Sequence, residues 1–186
     1  MMPANTIVSR VLAALNQAGI AHMLVGSFAR NYYADPRSTK DADLVLAVTS
    51  GSYLKSFLDA LGPDFSLQDQ MTFETNTGTF RSTLVHRESG FEVEMFHLSS
   101  DLYDQERFRR RRTTTYEGQP THVLTAEDVI VTKLRWARGK DHDDVRDVIA
   151  MQGSAALDWN YIHHWTGQHG SRAKLDAIRA SLPPLD

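Results

Sequence analysis

Two apolar runs, the first ending in a glycine-serine turn and the second entered on a pair of aspartates, constrain this chain more than anything else in it. His22 to Val25 is long enough for a buried strand and stops at Gly26-Ser27. Phe28 to Tyr33 then reads as a short helix, which Asp35-Pro36 breaks. Asp41 to Val48 (DADLVLAV) predicts a second strand. Its alternation puts Asp41 and Asp43 on one face with Val45, and Ala42, Leu44 and Leu46 on the other.

That segment also carries chemistry. A strand that turns straight into a helix aims free backbone N–H groups and the positive helix end at one point, which suits a phosphate. Gly26 lets the backbone approach such an anion, and the Ser27 hydroxyl adds a donor. A glycine-serine turn before a helix is common, so this signal is weak alone. After a gap of thirteen residues comes Asp41-Ala42-Asp43. The strand rise sets the two carboxylates about 7 Å apart along the backbone, where they repel unless a cation intervenes. Hard oxygen ligands of this kind suit magnesium, which is held by one or two carboxylates plus substrate phosphates.

The rest of the chain supplies a frame. Ile7, Val11, Leu15 and Ala18 recur at helical spacing before Gly19, and Ser52 to Leu61 reads as a helix closed by Gly62-Pro63. Phe80 to His86 and Phe91 to Phe96 form a hairpin around Arg87-Glu88-Ser89-Gly90. A second pair, Arg112 to Tyr116 and Thr121 to Leu124, turns at Glu117-Gly118. Thr125-Ala126-Glu127-Asp128 has capping-box form and opens a helix through Ile130, Leu134 and Ala137. Gly139 interrupts it, and Asp141 is placed to cap a new helix reaching about Met151. Helices near Tyr161 and Leu175 follow, before Pro183-Pro184. The pattern is α/β (α+β): a mixed, mostly antiparallel sheet flanked by helices over residues 1–124, with a helical C-terminal lobe over 125–186 that completes the site.

Composition narrows the function. The 186 residues are 41% hydrophobic and 23% charged, enough for a real core in one compact unit. A formal charge of -3 removes any global basic excess that would force a nucleic-acid partner. Cysteine is absent, which excludes disulfide scaffolds, thiol catalysis and cysteine-bound zinc. The histidines, including His163-His164, form no paired ligand set. No signal peptide is visible, and no apolar run approaches the roughly 18 residues a membrane span needs, so a soluble cytoplasmic protein is expected. Arg107 to Arg112 (RFRRRR) would either track a polyanion such as tRNA or form a solvated strand edge; in a strand, alternate arginines face opposite ways. Trp136, Trp159 and Trp165 read as core and lobe-packing residues.

Gly26-Ser27, the thirteen-residue gap and Asp41-Ala42-Asp43 resemble the nucleotidyltransferase signature of the polymerase-beta-like superfamily. More narrowly, Arg37-Ser38-Thr39-Lys40-Asp41-Ala42-Asp43 (R-x-T-x-D-x-D) resembles the second motif of AbiEii-type abortive-infection toxins, which usually carry Gly-Gly where this chain has Gly26-Ser27. The resemblance implies a third carboxylate on a neighbouring strand. Glu92 and Glu94 in GFEVEMF are candidates, and Glu94, between Val93 and Met95, fits the pattern better, though aspartate is more usual there. Downstream, AEDVIVTKL with Lys133, followed by Arg138-Gly139-Lys140-Asp141-x-x-Asp144, is similar to the family's lysine helix and R/K-D-x-x-D element.

The resemblance implies a metal-dependent nucleotidyltransferase that moves a nucleoside monophosphate from a nucleoside triphosphate to a hydroxyl. Asp41, Asp43 and Glu94 would be the catalytic carboxylates and hold two magnesium ions. Gly26, Ser27, Arg37, Thr39 and Lys133 would hold the nucleotide, with Asp144 steadying a lysine or arginine. The acceptor stays open among a tRNA end (a toxin with a cognate antitoxin), a small antibiotic-type molecule and a protein hydroxyl. A binding module of the same fold without turnover is the rival from another class.

Overall fold

The computed structural model describes residues 2–48, 53–75 and 78–182. Within them, helix α1 (Ala4–Gln17) leads into β1 (His22–Val25), α2 (Gly26–Tyr33), β2 (Asp41–Leu46) and α3 (Tyr53–Leu61). Short strands β3 (Phe65–Leu67) and β4 (Thr72–Glu74) precede the hairpin of β5 (Thr79–His86) and β6 (Glu92–His97). Helix α4 (Leu102–Arg110) comes next, then β7 (Arg112–Tyr116) and β8 (Gln119–Val123). The chain ends with α5 (Ala126–Trp136), α6 (Gly139–Gln152), α7 (Trp159–Gln168) and α8 (Arg172–Ala180). Ser52 and Pro183-Pro184, read as a helix start and a terminal stop, lie outside the described residues.

The strands form one sheet in the order β3-β5-β6-β2-β1-β8-β7, with β4 sharing the outer edge of β5 with β3. Pairing is mostly antiparallel; β2 with β6 and β1 with β8 are parallel. The expected mixed α/β class holds, and the alternation along β2 is visible in its burial. Ala42, Leu44 and Leu46 are fully buried, while Asp41 and Asp43 on the opposite face keep some exposure. The parallel pairing sets Asp41 beside Glu92 and Asp43 beside Glu94. Side chains at these positions therefore share one face.

Helix α1 buries Ile7, Val8, Val11, Leu12 and Leu15, so its apolar stripe packs into the core as its spacing predicts. Helix α5 packs against α2, α6 and α7. The three tryptophans are partly buried against the core. Among the described residues no helix is long and apolar enough to cross a membrane.

Three local expectations are corrected. Helix α2 begins at Gly26, two residues earlier than read from sequence. The break before α6 falls at Ala137, whose φ of +52° is left-handed, while Gly139 is already helical. Asp141 is not the cap of α6 but lies three residues beyond it: Arg138 is the N-cap residue, and its backbone N–H donates to Asp141 at 3.0 Å.

The arginine run departs most from its reading. Arg107, Arg109 and Arg110 close helix α4, and only Arg112 opens a strand. The side chain of Asp101 caps that helix by accepting from the backbone of Tyr103 and Asp104. Arg107 is buried and pairs with Asp104 at 2.8 Å. Arg110 stacks on the Tyr161 ring at 3.8 Å, and Arg111 on Phe108 at 4.0 Å. Exposed Arg109 is paired with Glu106. The run is therefore not a strand edge: it closes α4, with Arg107 and Arg109 paired to acids of that same helix, Arg111 folded back on Phe108 and Arg110 reaching across to Tyr161 of α7.

Candidate active site

The geometry of the site starts at Gly26. Its φ is +58°, and a Cβ there would lie 1.8 Å from Asp43 Oδ2 and 2.7 Å from Asp43 Cγ. Both the backbone conformation and the space therefore demand glycine. The sequence reading gave this glycine to an approaching phosphate. In the structure its missing side chain makes room for the carboxylate of Asp43 on the adjacent antiparallel strand, where Val25 and Asp43 are register partners. The turn and the aspartate, far apart in sequence, are one feature.

Asp43 then meets other carboxylates. Burial first, and next the charges of Glu94 and Asp41, push its pKa up to about 7; Lys133 pulls the other way. Glu94 lines the same cleft as Asp43, while Glu92, one pleat earlier beside Asp41, is exposed. The three side chains Asp41, Asp43 and Glu94 share a sheet face, and Asp43 and Glu94 come within hydrogen-bonding reach of each other. Among the described residues no three acidic or histidine side chains are grouped as an ion site. The two carboxylates flanking Asp43 also have partners of their own. Thr39 Oγ1 donates to Asp41 Oδ1 at 2.9 Å, and Arg81 Nη1 stands 2.9 Å from Glu94 Oε1.

Facing the carboxylates is a cationic assembly anchored on Asp144. Arg37 grips it through two nitrogens at 3.1 and 3.0 Å, Lys133 Nζ reaches it at 2.7 Å, and Arg30 at 3.3 Å. Arg37 also donates to Ser27 Oγ at 3.4 Å, which ties the start of α2 to the assembly. Asp141 accepts from Lys133 at 3.1 Å and from Arg138 at 2.9 Å. Burial works to raise the pKa of Asp144 and Asp141, but the bonds from Arg37, Lys133 and Arg138 win and hold both below the usual carboxylate range. Lys133 is thus a buried, doubly paired lysine, and Asp144 acts through its cations.

Asp43, Glu94 and Lys133 border a cleft of about 80 Å³. Arg81, Arg107 and Arg138 also line it, and sequence reasoning missed all three, as it missed Arg30. Arg81 comes from a segment with no motif, and Arg107 from the run read as a polyanion track or a solvated edge; only the fold turns them inward. Arg138 had a signal, since it stands in the R/K-D-x-x-D element. A second, open groove of about 520 Å³ runs past Arg37, Ser38 and Thr39 on the Asp41 side, with Phe28, Tyr32 and Tyr116 as aromatic walls. Carboxylates on one wall and cations on the other can bind a polyphosphate with its counter-ion and stabilise charge that moves between phosphoryl oxygens.

Known proteins share this architecture. The antibiotic-resistance factor ANT(2'')-Ia, in its solution structure, aligns with a TM-score of 0.62 at 14% identity, over 96% of this chain and 97% of its own. Its crystal structure in complex with adenylyl-2"-tobramycin gives 0.58 at 14% identity, over 91% and 98%. An antigenic nucleotidyltransferase-like protein from Paracoccidioides brasiliensis gives 0.58 at 21% identity, over 95% and 92%. At these identities the likeness is one of fold. No curated protein sequence matches the chain. The family described as nucleotidyl transferase of unknown function (DUF2204) matches residues 4–168, a span that holds every residue of the site. The chain belongs to that family and is a nucleotidyltransferase.

Proposed function

We propose that the protein transfers a nucleoside monophosphate from a nucleoside triphosphate such as ATP to a hydroxyl acceptor, using magnesium held by Asp41, Asp43 and Glu94. One observation carries this reading: Asp43 is fitted against Gly26 with two carboxylates as its neighbours, and among the described residues it has no ion-pair partner of its own. A protein that needed only a stable fold would gain by removing that repulsion. An oxygen-only donor set fits a hard divalent ion. Two bound magnesium ions would supply charge neutralisation at the α-phosphate and the departing pyrophosphate, and a lowered pKa for the attacking hydroxyl.

The remaining roles fall to the chain. The start of α2, at Gly26 and Ser27, receives triphosphate oxygens. Arg37 and Lys133 add positive charge, and Asp144 holds both in place. Thr39 orients the Asp41 carboxylate. The hydroxyl oxygen attacks the α-phosphorus, the bond to the β-phosphate oxygen breaks, and pyrophosphate leaves while Glu94 receives the hydroxyl proton. Residues 1–124 act as the catalytic core and 125–186 as the lobe bringing Lys133 and Asp144. A cytoplasmic pool of nucleotide is the natural supply.

For the acceptor, the R-x-T-x-D-x-D string from Arg37 to Asp43 supports a tRNA 3′ end, in an AbiEii-type toxin restrained by an antitoxin. A small-molecule hydroxyl is the second reading. It is favoured by the arginine stretch, whose Arg107, Arg110 and Arg111 are engaged inside the fold, and by the likeness to ANT(2'')-Ia, whose crystal structure holds adenylyl-2"-tobramycin. The test incubates the protein with magnesium and each α-labelled nucleoside triphosphate, with total tRNA or with tobramycin, beside Asp43→Ala. Label on tRNA from the intact protein alone establishes the first acceptor, and label on tobramycin the second. Equal labelling by Asp43→Ala would refute the assignment of the site.

A further inference from the structure

We propose that Arg81 is a resident counter-ion of the carboxylate face: it keeps Glu94 from a metal ion until a nucleotide arrives and then passes to the triphosphate, so that metal and nucleotide bind cooperatively. The inference rests on the reading of Asp41, Asp43 and Glu94 as metal ligands.

Arg81 sits on β5 opposite Phe96 of β6, one pleat from Glu94 on the shared face. Its guanidinium stands 5.7 Å from the Phe96 ring centroid and touches Glu94 Oε1 at 2.9 Å. Both side chains border the cleft that holds Asp43. The contact is made to be broken. Arg81 meets Glu94 as an ion pair at Nη1, whereas Arg37 holds Asp144 through two hydrogen bonds. The Arg81 Nε is buried without a hydrogen-bond acceptor among the described residues. The two side chains are 24% and 22% exposed, so water competes for the pair.

The other cations of the cleft are committed elsewhere: Arg107 to Asp104, Lys133 to Asp141 and Asp144, and Arg138 to Asp141. Arg81 differs in that its carboxylate is one proposed for the metal. A divalent ion at Glu94 repels the guanidinium and takes its partner; a triphosphate offers oxygens that replace what was lost. Without nucleotide the exchange leaves Arg81 unpaired beside the ion. With nucleotide every charge finds a partner.

The experiment measures Mn²⁺ binding by electron paramagnetic resonance for the native protein, Arg81→Gln and Arg81→Lys, with and without the α,β-methylene analogues of the four nucleoside triphosphates. Without nucleotide, Arg81→Gln should bind Mn²⁺ roughly two- to fivefold tighter than native, the range expected when one partly exposed ion pair no longer competes. The gain in Mn²⁺ affinity that nucleotide confers should shrink by the same factor, and Arg81→Lys should fall between. Thermal melting checks that each variant folds, and the lysine variant keeps the test decisive if the glutamine variant does not. Unchanged or weaker Mn²⁺ binding by the folded variants overturns the proposal while leaving the metal site standing. A native protein that takes up no Mn²⁺ even with nucleotide overturns the metal site itself, and this role of Arg81 with it.

Discussion

Asp43 and Asp144 both feel the charge of Lys133, yet only Asp144 pairs with it and the fold treats the two oppositely. Asp144 is surrounded by Arg30, Arg37 and Lys133, and the bonds from Arg37 and Lys133 hold its pKa down against burial. Asp43 is surrounded by Glu94 and Asp41, and its pKa is pushed up to about 7. The first region is electrostatically complete and serves as scaffold. The second carries unbalanced charge, in keeping with the metal ion proposed for it.

Removing the complete side should have the largest effect. Asp144→Ala takes from Lys133, Arg30 and Arg37 the buried carboxylate they share, leaving Lys133 with Asp141 and Arg30 with Asp147, and should cost about 3 kcal/mol, the low end of what losing one partner of a buried pair costs. Urea unfolding measures it; a loss below the range of an exposed ion pair would show that the cations find other partners. Next comes Gly26→Ala, which forces a methyl group to within 1.8 Å of Asp43 Oδ2 and should lower kcat/KM about a hundredfold or more through misplacement of the carboxylate. Near-native turnover with intact circular dichroism would break the link between the turn and the aspartate.

A milder effect separates the two carboxylates by pH. Asp43 has a raised folded pKa, so its ionisation penalises the folded state increasingly as pH climbs from about 4 toward about 7 and fully above that. In EDTA, Asp43→Asn should therefore melt a few degrees higher than native at pH 8, and the gap should close toward pH 4. Asp144 and Asp141 have the opposite sign: their contribution is present above the ordinary carboxylate range and is lost as pH falls through their lowered values. Differential scanning calorimetry across pH reads both limbs; a gap that widens toward acid would reverse the comparison. The smallest effect is expected at exposed Glu92, where Glu92→Gln should leave kcat/KM within about twofold of native, against a large loss for Glu94→Gln. A large loss at Glu92 would move the third carboxylate to the Asp41 end of β6.

Much of the fold was legible because its signals are local. The apolar run of β1, the alternation of β2, the two hairpins and the cap at Thr125 are each set within a few residues. Helix α4 was missed because its arginines masked a capping aspartate at Asp101, and a row of charges reads as surface until something packs on it. Strands β3 and β4 are three residues each and exist only by pairing with β5.

By itself the sequence determined which residues face together along one element: Asp41 with Asp43, Glu92 with Glu94, Gly26 at the end of a strand. Those relations follow from backbone period and need no partner. Tertiary structure alone decided what lies across from them. It set Asp43 against Gly26 and beside Glu94, brought Arg81 to Glu94, and gathered Arg30, Arg37 and Lys133 on Asp144. The reason is physical: the balance of charge in a site depends on distances and burial between elements, and these are fixed only when strand register and helix packing bring distant parts of the chain together.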